Sequence, residues 1–192
     1  MKHTASSWTI DASHRLVGAR WLASPNQDER PQGCSIDLLV VHAISLPPDE
    51  FGGPWIDALF TNTLDPQAHP YFASIEGLKV SAHACIFRDG SITQYVAFDR
   101  RAWHAGASVW HGRTRANDFS VGIELEGCDS RDFEAAQYDT LAAVNAALIA
   151  RYPTLDREQV TGHSDIAPGR KTDPGPGFDW TYYRSRLAAL LA

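Results

Sequence analysis

The chain has 192 residues, 44% of them hydrophobic and 21% charged, a composition that fits one globular domain and excludes disorder. A chain of this length buries roughly 70% of the surface its unfolded form exposes, so it needs no disulfide staples. Its formal charge of -6 opposes nucleic-acid binding, in which cationic side chains displace counterions from phosphate, and opposes docking on an anionic membrane.

In chain order, residues 1–8 lack the apolar run of a secretory signal, and Leu38-Leu39-Val40-Val41 is too short to span a bilayer. The span 35–44 predicts a buried strand, with His42 near its end and Pro47-Pro48 stopping it. Residues 54–62 predict a short helix with Pro54 in its first turn. Two β-rich runs, 80–88 and 91–97, flank Asp89-Gly90, which suits the positive φ angles of a tight hairpin. Along 119–126, Val121, Ile123 and Leu125 point one way, while Gly122, Glu124 and Glu126 point the other. Apolar residues at helical spacing (Leu141, Val144, Leu148, Tyr152) predict a helix over 133–152, with Asp132 as N-cap and Pro153 ending it. A last helix over 180–191 presents Tyr183, Leu187, Leu190 and Leu191 on one stripe. Strands mixed with helices, and no linker between them, predict a single α/β domain over 1–192 with a mixed sheet and a core from about residue 35.

Cys34, Cys85 and Cys128 are odd in number and widely spaced, and no C-x-x-C occurs, so they read as buried or free thiols of a reducing compartment. The cytoplasm is the expected location. His42 closes a buried strand, and His163 and Asp173 bracket a loop that contains Pro168, Gly169, Arg170 and Lys171. Catalytic zinc takes three ligands from histidine and carboxylate and keeps a fourth position open. With eight histidines in the chain, that pattern alone does not single these residues out. Neither the H-E-x-x-H helix of zinc proteases nor the deaminase pattern is present. Glu124 and Glu126 share a strand face, so either could serve as a catalytic carboxylate with the other a structural acceptor.

The surrounding words are more specific. Val41-His42-Ala43-Ile44-Ser45-Leu46-Pro47-Pro48, Phe119-Ser120-Val121-Gly122-Ile123-Glu124-Leu125-Glu126-Gly127 and Thr161-Gly162-His163-Ser164-Asp165 resemble, in order and spacing, the type-2 N-acetylmuramoyl-L-alanine amidases. The same holds for Pro168-Gly169-Arg170-Lys171-Thr172-Asp173-Pro174-Gly175, Ser81-Ala82-His83, Arg88-Asp89-Gly90 and Trp103-His104-Ala105-Gly106. Within that family the match is to the cytosolic AmpD type, which acts on 1,6-anhydro-muramyl peptides during cell-wall recycling. The resemblance implies a central mixed sheet flanked by helices and a zinc ion on His42, His163 and Asp173. It makes Glu124 the catalytic carboxylate and Lys171 its cationic partner. The implied reaction is hydrolysis of the amide between the lactyl group of anhydro-N-acetylmuramic acid and L-alanine.

For the substrate, a small muropeptide, Arg115 aligns with a family arginine, and Lys79 stands where the family often has arginine. Trp103 could pack on the sugar or simply fill the core. Ala43 is a departure, since AmpD-type chains usually carry Asn after the first zinc histidine. His83 and His104 are expected to be structural or pocket-lining, and His3, His14, His69 and His111 to be solvated. A monomer without nucleic-acid or membrane partners is expected. Two other readings remain: a secreted or phage-type wall-lytic amidase, which would want a signal, a wall-binding repeat or a basic surface, and a non-catalytic recognition module, which would usually lack a ligand.

Overall fold

The structure, a computed structural model, describes residues 8–192, so His3 and the first seven positions lie outside it. Two short strands come first, β1 (Arg20–Trp21) and β2 (Gln27–Asp28), followed by the long β3 (Leu38–Ile44). Helices α1 (Trp55–Phe60) and α2 (Pro70–Ser74) precede the hairpin strands β4 (Ala84–Ile86) and β5 (Ile92–Gln94). The pairs β6 (Arg101–Ala102), β7 (Val109–Trp110) and β8 (Arg113–Thr114) lead into β9 (Ser120–Glu126). Helix α3 (Ala135–Arg151), strand β10 (Val160–Gly162), the single turn α4 (His163–Ile166) and helix α5 (Trp180–Leu191) complete the chain.

Six strands form one mixed sheet in the order β1-β5-β4-β9-β3-β10, antiparallel only between β4 and β5. This is the expected architecture. β3 is sandwiched between β9 and β10, and Leu38, Leu39, Val40 and Val41 are all fully buried, as a strand covered on both faces requires. Leu39 and Val41 join Val121, Ile123 and Leu125 in a core with Leu141, Val144 and Leu148 of α3 and Tyr183 and Leu187 of α5. Leu38 and Val40 face the other way, onto Phe119, Ala105 and Ile166.

Several local expectations change. The hairpin pairs Ile86 with Ile92, but only Gly90 is left-handed (φ 82). Gly90 N–H donates to Phe87 O (2.9 Å) and Phe87 N–H to Ser91 O (2.8 Å), a longer turn with glycine in the bulge position. A Cβ on Gly90 would also lie 2.9 Å from Ala136 O, so the turn packs against α3. Pro54 caps α1 rather than entering it. The N-cap of α3 is Glu134, not Asp132, because buried Gln137 accepts from Glu134 N–H (3.0 Å) and donates to Glu126 O (3.0 Å), tying the helix start to β9. On α5, Tyr183 and Leu187 are buried, but Leu190 and Leu191 are exposed. Helical spacing sets which side turns inward, not how far the partner reaches.

Residues ahead of 35 belong to the same body. Leu16 is in the core, β1 pairs with β5, and β2 pairs with β6. Arg30 spans from this segment to the start of β9. Its Nη1 donates to Asn117 O (3.2 Å) and Asp118 O (3.0 Å), and its Nη2 to Phe98 O (3.1 Å) and Ser120 O (2.8 Å). Burial lowers its pKa to about 10, so it still carries its charge at neutral pH. Replacing it strands four carbonyl oxygens. Arg30→Met, which keeps the stem and removes the donors, should cost about 3 kcal/mol, read as a lower urea midpoint at unchanged slope.

Candidate active site

Three parallel strands end together. The register pairs His42 with Glu124 and Val41 with Gly162, so His163 begins immediately beyond the strand next to His42. Side chains at paired positions share a face, and His42 and Glu124 lie on the one opposite the α3 core. Asp173 is folded back onto this edge by Ser164 N–H, which donates to Asp173 O (2.9 Å) and closes the loop carrying Arg170 and Lys171. Such sites at the carboxyl ends of parallel strands are where open α/β sheets place ligands.

His42 Nδ1 and His163 Nδ1 are 2.9 Å apart, and each is 3.1 Å from Asp173 Oδ2. Ligand atoms around a tetrahedral zinc with bonds of roughly 2.0–2.1 Å are spaced by about 3.3 Å, so this triangle fits one metal ion. Both rings are buried. Burial foremost, with His163 adding to it and Asp173 opposing, lowers the pKa of His42 to about 4, so the ring is neutral. Burial acts to raise the Asp173 carboxyl, and its contacts with His163 and then His42 reverse this, holding it well below the usual carboxylate range. Two imidazole nitrogens and a carboxylate oxygen converging this closely call for a cation between them.

Glu124 stands beside this cluster with Oε2 buried and, among the described residues, without a hydrogen-bond partner. Burial, then the nearby Asp173, pushes its carboxyl well above the usual range, against the pull of Lys171. Glu126, on the same face, is different: Oε1 accepts from Gly52 N–H (2.5 Å) and Oε2 from Arg88 N–H (3.2 Å). Both its oxygens are committed to backbone.

The cluster lies in a cleft of about 520 Å³. Trp103, Lys171 and Ala43 line it, as do His104, Arg170 and the exposed Tyr71. Lys79 does not. It lines an adjoining hollow that shares Leu59, Ile75 and Leu78 with the cleft. Arg115 lines neither, and its exposed guanidinium pairs with Asp118 (3.2 Å). Arg170 was visible in the sequence only as part of a loop, whereas here it donates to Ala105 O (2.6 Å) and Ala107 O (2.7 Å).

His83 is structural. Its Nδ1 accepts from Gly122 N–H (3.0 Å), so Nε2 carries the proton and donates to Arg100 O (3.0 Å). Burial, then Arg30, lowers its pKa to about 3. His14 and His69, expected to be solvated, are half-buried and each has a protein partner: His14 Nδ1 is 2.7 Å from the Tyr152 hydroxyl, and His69 accepts from Tyr71 N–H (3.2 Å) at the start of α2. His111 is exposed as expected, and all three cysteines are free.

Fold and site together define a class, an α/β domain whose parallel strands end in three converging donor atoms that could hold a metal ion, with a buried carboxylate beside them. Residues 32–176 match the family model described as N-acetylmuramoyl-L-alanine amidase, and the chain belongs to that family. It is 64% identical over 169 residues to the 1,6-anhydro-N-acetylmuramyl-L-alanine amidase AmpD of Escherichia coli (strain K12), covering 88% of this chain and 92% of that protein. A crystal structure of a selenomethionine AmpD derivative superposes with a TM-score of 0.90 at 60% identity, covering 93% of this chain and 98% of that one. The Escherichia coli amidase AmiD, solved with the substrate anhydro-N-acetylmuramic acid-L-Ala-D-gamma-Glu-L-Lys, matches at a TM-score of 0.58 and 29% identity, covering 94% of this chain and 65% of that one.

Gly122 sits under the ring of His104, where a Cβ would come within 2.4 Å of Cγ and Nδ1. Gly122→Ala should therefore destabilise the fold by about 1–3 kcal/mol through overpacking, measured as a lowered melting temperature.

Proposed function

We propose that the chain hydrolyses the amide joining the lactyl group of 1,6-anhydro-N-acetylmuramic acid to L-alanine, with zinc on His42, His163 and Asp173, in the recycling of peptidoglycan fragments. The observation that carries this reading is the convergence of three donor atoms within 3.1 Å beside the unpartnered Oε2 of Glu124. The AmpD relative is named for this activity, and identity of 64% extends over most of both chains. When bound, zinc supplies Lewis acidity, acidifying water and polarising the scissile carbonyl.

The protein's own groups do the rest. Glu124, with its raised pKa, takes a proton from the attacking water and delivers one to the departing amine of L-alanine. General acid–base help of this kind is worth on the order of 10²–10⁴-fold. Lys171 brings its ammonium to the cleft from the loop between two donors and stabilises the charge that develops on the carbonyl oxygen, worth about 3 kcal/mol. Trp103 offers a flat apolar wall to the sugar. Lys79, in the hollow continuous with the cleft, is placed to meet a peptide carboxylate, as a point charge rather than a planar fork. Arg115 lies outside the cleft lining, and to meet a peptide carboxylate, as the family resemblance implies, its exposed guanidinium would exchange its pairing with Asp118 for the substrate.

A wall-lytic amidase is the second reading. Peptidoglycan strands are long polyanions, and a chain of net charge -6 does not favour their approach. Action in the cytoplasm as a monomer goes with the recycling reading. No described helix is long and apolar enough to cross a membrane.

Purified protein should contain about one zinc per chain, and Asp173→Ala should lose metal and activity together. Full turnover with zinc shown absent by elemental analysis would overturn the metal assignment. Glu124→Gln should keep zinc and lose most of kcat, whereas Glu126→Gln should chiefly lower stability, because it disturbs the bonds to Gly52 and Arg88. Mass spectrometry of an anhydro-muramyl tripeptide digest should show free peptide plus anhydro-sugar, at a kcat/KM orders of magnitude above that for intact sacculi. Comparable release from both substrates would favour the wall-lytic reading.

A further inference from the structure

An imidazole nitrogen can bind a metal only when the ring's proton sits on its other nitrogen, so something must fix which nitrogen of each histidine is bare. At His163 a carbonyl does this directly: Nε2 faces Ala105 O (3.3 Å), which can only accept. At His42 the outer nitrogen meets no carbonyl. Its Nε2 lies 2.9 Å from Nδ1 of a second neutral histidine, His104, and two imidazole nitrogens can share a proton either way round.

The ambiguity is resolved farther out. Ser120 Oγ is 2.6 Å from Ala116 O, and a carbonyl cannot donate, so the hydroxyl proton points there. Ser120 Oγ is then an acceptor for His104 Nε2 (3.2 Å), which places the His104 proton on Nε2 and leaves Nδ1 bare. Bare Nδ1 accepts from His42 Nε2–H, and His42 Nδ1 is left bare toward His163 and Asp173. Each member is buried: His42 and Ser120 are 1% and 0% exposed and His104 is 9% exposed, which leaves little room for water to offer an alternative. The His104 ring is wedged above Gly122, and its backbone is held by Asn117 Oδ1, which accepts from His104 N–H (3.1 Å) and Ala105 N–H (2.7 Å).

We propose that His104, oriented by Ser120 and the carbonyl of Ala116, is a positioning residue that holds His42 in the one tautomer able to bind the metal. A side chain that merely filled this space would need no nitrogen at either end. The inference rests on the metal reading above. It makes His104 neither a ligand nor a catalytic residue, because it acts only through His42.

The test compares His104→Phe, which keeps an aromatic ring and removes both nitrogens, with His104→Gln, whose amide offers an oxygen to His42 and an N–H to Ser120. Zinc affinity is read by competition with a chromogenic chelator, and the His42 tautomer by nitrogen-15 NMR of the metal-free protein. His104→Phe should bind zinc about 10–100-fold more weakly and lose the single Nε2–H form of His42. His104→Gln should recover most of the affinity and the single tautomer. Wild-type affinity in His104→Phe, or equal losses in both variants, would overturn the proposal and leave His104 a packing residue. If His104→Phe does not fold, Ser120→Ala carries the test, and an unchanged His42 spectrum would overturn it. Absence of zinc binding by the wild-type protein would instead sink the metal reading and the proposal with it.

Discussion

The register of three parallel strands governs the rest of the site. β3 is hydrogen-bonded between β9 and β10, and that pairing brings His42 level with Glu124 and sets His163 at the edge beside them. A slip of one residue between β3 and β9 would turn Glu124 into the core and Ile123 into the cleft. The buried apolar runs prevent it, because Leu39, Val41, Val121, Ile123 and Leu125 pack under α3 in only one phase. The geometry of the donor atoms is thus secured by the ordinary hydrophobic effect acting on residues that do not line the cleft.

Around that frame, backbone carbonyls handle charge and protons at several points. Ala105 O receives both His163 Nε2 and Arg170 Nη2, and Ala116 O ends the path that begins at His42. A carbonyl has a fixed position and only one role, so it is a better anchor than a side chain that can rotate or titrate. Glu126 shows the converse. Two residues from Glu124 on the same strand face, it has both oxygens committed to backbone N–H groups, while Glu124 Oε2 is left open. Identical chemistry on one strand is divided into a committed and an open carboxylate by what lies opposite.

Much of this was legible in the sequence. The alternation along 119–126 put Glu124 on the face away from Ile123, and the apolar run before His42 marked a central strand. Neither periodicity nor spacing pointed to a donor set; the ordered motifs did. What escaped has physical reasons. Two-residue strands such as β1, β2 and β6 carry no periodicity, and they exist because a neighbouring strand offers free edge groups. The α3 cap fell to Glu134 because Gln137 is drawn to carbonyls of β4 and β9, a tertiary demand invisible locally. Arg115 matches a family position, but its place outside the cleft lining and its pairing with Asp118 follow from the loop it sits on, which no local pattern encodes. His104 lay in a recognised motif, but its link to His42 spans 62 positions along the chain.

The anchoring of Arg30 bears on where the domain begins. The family match starts at residue 32, two positions after Arg30 and beyond both β1 and β2. A fragment cut at that boundary would contain all three donor residues and Glu124, yet it would lack the guanidinium that gathers the carbonyls of Phe98, Asn117, Asp118 and Ser120. Ser120 opens β9 and its hydroxyl lies 3.2 Å from His104 Nε2, so the loss would reach the His42, His163 and Asp173 cluster through the backbone. The packed unit is therefore larger than the stretch that defines the family, and the segment before residue 32 acts as a clamp on the strand that carries Glu124.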